Sequence, residues 1–136
     1  MGLTIGNLPD ASGFNALSSE SQWWVADTLA DVTNGANGTY PYYADMRGYT
    51  RFGLDLTLTG TLAVKVYITT EDTDSASVTK WTDVTNDLFG SATLTTSGYY
   101  ADNDGKTENA TWIKVEVVPS GGGTDDWKVD LNKLWR

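Results

Sequence analysis

The chain contains neither cysteine nor histidine. Without cysteine there is no disulfide framework and no thiolate chemistry. Without histidine the usual neutral-pH proton shuttle and the commonest metal ligand are missing. Ser-His-Asp, Cys-His and zinc-site constellations are thereby excluded. Basic residues are scarce as well: 9 Lys and Arg against 18 Asp and Glu give a formal net charge of -9. Such a surface repels nucleic-acid phosphates and anionic membranes, so neither is expected as a partner. No apolar run approaches the roughly 20 residues of a membrane helix. Met1 to Asp10 lacks the basic start and apolar stretch of a signal peptide. Gly6 stands where a myristoylation signal wants Ser or Thr. These features predict assembly in the cytoplasm.

What is present points to one β domain. The 136 residues fit a single core. Composition changes near Asp45. Residues 1–45 are rich in turn formers and read as an N-terminal arm and loop-rich segment; residues 46–136 read as the sandwich core. Within the first part, Gln22 to Leu29 has the makings of a strand, and Pro41 argues against a central strand at Tyr40–Tyr43.

Beyond Arg47 apolar residues alternate with polar ones. Phe52, Leu54, Leu56 and Leu58 form one inward row, and Leu62, Val64, Val66 and Ile68 the next. The intervening Gly60-Thr61 predicts a hairpin turn joining the two. Lys80 to Phe89 reads as a short strand with Trp81, Val84, Leu88 and Phe89 inward. Ile113, Val115 and Val117 alternate with Trp112, Lys114 and Glu116, while Trp127, Val129 and Leu131 alternate with Lys128, Asp130 and Asn132. No segment predicts a convincing helix. The expected fold is all-β: an antiparallel, jelly-roll-like sandwich of about 7–8 strands, the pattern of short runs at even spacing.

The stretch from about Gly48 to Leu134 resembles a recurring type of bacteriophage virion protein. The similarity lies in a first hairpin with an acidic loop (Leu62 to Asp74), Trp81-Thr82-Asp83-Val84-Thr85, Asp102-Asn103-Asp104-Gly105, Trp112 to Val118, Ser120 to Gly123, and Asp126 to Leu131. In that type, small sandwiches decorate or cement capsids, or sit on tails and fibres. The resemblance implies a non-enzymatic structural protein on the outer virion surface, trimeric and bound to the major capsid protein. The alternative it implies is a carbohydrate- or receptor-binding module of a tail or head fibre, meeting a surface glycan.

Each candidate site also admits a plainer structural role. Asp72, Asp74, Asp102 and Asp104 carry the hard oxygens calcium prefers. However, Asp102-Asn103-Asp104-Gly105 lacks the ligand spacing of a calcium loop, so no metal and no cofactor are expected. Leu3, Ile5, Leu8, Phe14 and Leu17 are spaced apolar anchors suited to a groove on a partner. Tyr40, Tyr42 and Tyr43 fit either an internal cover or a binding surface. Arg47 and Arg51 fit either interface anchors or internal pairs with Asp45 or Asp55. Trp81 and Trp127 sit in apolar rows and are expected to pack inside. No pair of carboxylates stands isolated among apolar neighbours, so glycoside hydrolysis is not expected.

Overall fold

A computed structural model of the chain describes residues 24–102, 107 and 109–135. The strands are β1 (Trp24–Gly35), β2 (Tyr40–Asp45), β3 (Tyr49–Thr59), β4 (Leu62–Thr69), β5 (Thr82–Asp83), β6 (Gly98–Ala101), β7 (Trp112–Pro119) and β8 (Asp125–Trp135). One short α-helix among the described residues, α1 (Thr85–Phe89), follows β5, and a 3-10 turn spans Ser75–Ser77. The strands form two four-stranded antiparallel sheets, ordered β1-β8-β3-β6 and β2-β7-β4-β5.

The order has a simple logic. β1 pairs with β8, β2 with β7, β3 with β6, and β4 with β5. The chain is thus one long antiparallel ribbon, folded at its middle and rolled up. Contacts β3·β8 and β4·β7 then zip adjacent turns of the roll into sheets. This is jelly-roll connectivity.

Between the sheets lies one core. Phe52, Leu54, Leu56, Val64, Val66, Ile113, Val115, Val117, Trp127, Val129 and Leu131 are all buried. Each belongs to an alternating row, so its strand neighbours face solvent. Leu58 and Ile68, also expected inside, lie partly buried at the row ends and pack against this cluster.

Three expectations need correction. First, β3 and β4 are not a hairpin: they lie in opposite sheets, and Gly60-Thr61 carries the chain across the sandwich. Two inward rows look alike whether their strands are neighbours or face each other. The crossing is fixed from elsewhere. Asp125 is buried at the mouth of the arch. It accepts the Thr61 backbone N–H at 2.8 Å and the Gly121 N–H at 2.7 Å. Gly60 has φ +111, and a Cβ there would meet that carboxylate.

Second, Lys80 to Phe89 is not one strand. Only Thr82–Asp83 pairs, along β4, and a helical turn follows. The cause is Thr85, fully buried, whose hydroxyl accepts the Val66 N–H at 2.7 Å and so stands in for a strand partner. Gly90 in the left-handed region then ends the turn. Leu88 and Phe89 still reach the core edge, whereas Trp81 lies half-buried outside it.

Third, the compositional break near Asp45 is not a structural one: residues 24–45 supply β1 and β2, an edge strand of each sheet. Pro41 is tolerated because β2 is an edge. Residues 1–23 lie outside the described residues.

Candidate functional site

The outer face of the β2-β7-β4-β5 sheet concentrates aromatic and charged side chains. Cross-strand register sets Tyr43, Lys114, Tyr67 and Asp83 in one row across all four strands. The Lys114 ammonium sits 4.4 Å from the Tyr67 ring centroid and 4.9 Å from that of Trp81. Trp81 in turn lies 5.8 Å from the Tyr43 ring. Partly desolvated cation–π contacts of this kind contribute about 1 kcal/mol each. The Tyr67 hydroxyl donates to Glu116 at 3.4 Å. Burial, with the charges of Glu116 and Asp83, pushes that phenol up. The outcome is a preordered aromatic surface with Tyr43 exposed at its edge.

The adjoining row holds Asp45, Trp112 and Thr69. Here Arg47 forms a two-pronged pair with Asp45: Nε to Oδ1 at 3.0 Å and Nη2 to Oδ2 at 2.8 Å. Its Nη1 reaches Asp72 at 3.3 Å, and its guanidinium stacks 5.2 Å from the Trp112 ring. Trp112 Nε1 donates to the Thr73 carbonyl at 2.8 Å. Together these contacts fasten the loop after β4 to the turn between β2 and β3. Within that loop Glu71 accepts the backbone N–H groups of Thr79 and Lys80.

Two carboxyls on this side are held below their usual range. For Asp45 the leading cause is the Arg47 side-chain hydrogen bond; for Glu71 it is the Thr79 backbone N–H, followed by that of Lys80. A carboxyl with a lower pKa folded than unfolded adds stability above its unfolded pKa and loses it as pH falls through the folded one. The melting temperature should therefore drop as pH falls below about 4. Replacing Arg47 with Met should flatten that drop, measured by thermal melts across the acidic range. An unchanged pH profile would show that the Asp45 pair contributes nothing.

The residues singled out in the sequence separate on the structure. Tyr40 and Tyr42 face inward: Tyr40 packs 5.2 Å from the Trp127 ring, and the Tyr42 hydroxyl accepts the Trp127 Nε1–H at 3.0 Å. Tyr43 faces outward. Arg47 is engaged by Asp45 and Asp72, whereas Arg51 is exposed on the other sheet and forms no ion pair among the described residues. Leu3, Ile5, Leu8, Phe14 and Leu17 lie outside the described residues, as does Asp104. Asp74 caps a short helical turn by accepting the Ser77 N–H, and buried Asp102 accepts from the Thr107 N–H and hydroxyl. The acidic loops are thus spread over separate structural duties. Among the described residues no three acidic groups converge as metal ligands would.

Sequence reasoning missed the convergence of Tyr67, Trp81 and Lys114. Their alternation marked the outward face of each strand, but only register shows that they share a row. The described residues form an eight-stranded jelly roll with preordered aromatic faces. No protein-family model, curated protein or solved structure matches the chain.

Proposed function

We propose that this protein is a non-enzymatic structural protein of a virus particle, of the capsid decoration or cement type. It would sit on the outer surface as a homotrimer against the major capsid protein. The observation that carries the reading is the rolled-ribbon connectivity itself, an architecture recurrent in virion proteins and in lectin domains. The net charge of -9 supports a protein displayed in solution at high local concentration rather than one bound to packaged nucleic acid. The Tyr43–Trp81–Lys114 surface supports contact with protein, because rigid aromatics held in place lose little freedom on docking. The sequence resemblance supports the placement on a virion.

In this reading the apolar anchors of the N-terminal segment, Leu3 through Leu17, reach the shell. Removing Met1 to Ser19 should leave the melting temperature nearly unchanged and abolish binding to stripped capsids in a sedimentation assay. Full binding by the truncated chain would remove the arm from the account. Light scattering on the full chain should give a trimer, and a monomer at working concentration would contradict that state.

A second reading has its own support. Jelly rolls also serve as lectins, and the chain exposes Tyr99 and Trp24 on the outer face of the other sheet.

A further inference from the structure

The outer face of the β1-β8-β3-β6 sheet differs from its counterpart. Register lines up Ala26, Asn132, Gly53 and Ala101 across all four strands. Three of these side chains are methyl or hydrogen, so the row is a shallow trough with the Asn132 amide as its polar group. On one side the next row is Thr28, Asp130, Asp55 and Tyr99. On the other it is Trp24, Leu134 and Arg51.

Gly53 has a particular purpose here. A Cβ at that position would collide with the Tyr99 hydroxyl end, so the Tyr99 ring reaches from β6 over the β3 backbone. It remains 57% exposed there. A glycine that weakens a central strand is thereby used to lay an aromatic ring on the sheet. Trp24, 53% exposed, stands on β1, three strands away. Three strand spacings across the sheet and four residues along it place the two aromatic positions roughly 20 Å apart.

On the same face lies a hollow of about 310 Å³ whose lining includes Asp27, Thr28, Asp55, Lys128, Asp130 and Asn132; Asp27 is paired with Lys133 at 3.3 Å. Asp55 and Asp130 are direct cross-strand partners. Like charges directly opposite destabilise a sheet, so packing alone does not favour them. The Thr28 hydroxyl donates to Asp130 at 2.7 Å, and the Lys128 ammonium lies 3.9 Å from it. The hollow therefore presents carboxylate acceptors beside amide and ammonium donors.

We infer that this face binds a neutral oligosaccharide. A sugar ring has apolar C–H faces that stack on an exposed tyrosine or tryptophan, and hydroxyls that each donate and accept. A neutral chain of several sugars is long enough to stack on Tyr99 and Trp24 while its hydroxyls meet the carboxylates of Asp55 and Asp130 and the donors of Asn132 and Lys128. An anionic sugar meets Asp55 and Asp130, and a divalent cation meets the Lys128 ammonium. The opposite face suits a sugar less well, because the Lys114 ammonium already occupies the Tyr67 and Trp81 ring faces. The inference rests on the lectin reading, whose ligand class it names, and is independent of the capsid reading.

The test is calorimetric titration of the full chain with neutral oligomers of glucose, galactose, mannose and N-acetylglucosamine, alongside polygalacturonate and oligolysine. At least one neutral oligomer should bind. Tyr99→Ala should weaken binding about tenfold, the scale of a lost stacking contact. Asn132→Ala should do the same, and it decides the matter if the Tyr99 variant fails to fold by its melting curve. Tyr43→Ala, on the other sheet, should leave affinity unchanged. The inference is overturned if no neutral oligomer binds up to millimolar concentration. It is also overturned if Tyr43 rather than Tyr99 and Asn132 controls affinity, or if oligolysine alone binds. Any of these outcomes leaves the capsid-binding result of the truncated chain standing on its own.

Discussion

Substituting Val115 with Asp should unfold the domain or cost it about 4 kcal/mol or more, the range for an uncompensated charge placed in a core. Val115 is fully buried at the centre of β7, opposite Tyr42 on one side and Val66 on the other. An Asp side chain there would sit within the buried apolar cluster. The same substitution three residues along, Val118→Asp, faces outward at 37% exposure and should change stability by less than about 1 kcal/mol. Urea titrations of the two variants check the assignment of faces. Similar losses at both positions would mean that the β7 register is wrong.

The second large effect is expected at Asp125. Its two oxygens serve two different backbone donors, Thr61 and Gly121, at the crossings between sheets. Asp125→Ala leaves both N–H groups without that acceptor, costing roughly 2–4 kcal/mol. Asp125→Asn is instructive, because an amide offers one acceptor oxygen where two are needed. It should fall between wild type and Ala in chemical denaturation. If Asn matched wild type, the carboxylate would not be what fixes the arches.

These two sites mark what was legible in the sequence and what was not. The inward rows were legible because a two-residue period needs no partner to be seen: Ile113, Val115 and Val117 announce their face unaided. Pairing was not legible. Leu54 and Leu56 face the core whether β4 lies beside them or across from them. What decides is Asp125, 64 residues from Thr61 in sequence. The turn at Thr85–Phe89 was hidden for a similar reason, since it depends on a buried Thr hydroxyl bonded to Val66.

The surfaces followed the same division. Tyr43 and Arg47 stood out by residue type, and the pairing of Arg47 with Asp45 was one of two roles open to it. Tyr40 and Tyr42 looked like Tyr43 in composition, yet one residue of strand parity turns them toward Trp127. Lys114 gave no signal at all, being one lysine on an outward face until register brings Tyr67 beside it. Gly53 likewise gains meaning only from Tyr99, 46 residues later, lying across it.

The central claim is that this jelly roll is a component of the virion exterior. Antibody raised against the chain, applied to intact particles from its source and viewed by negative-stain microscopy, tests it most directly. The account predicts regular labelling over the capsid shell. Labelling confined to tails or fibres would favour the glycan- or receptor-binding module instead, and particles free of label would contradict the claim.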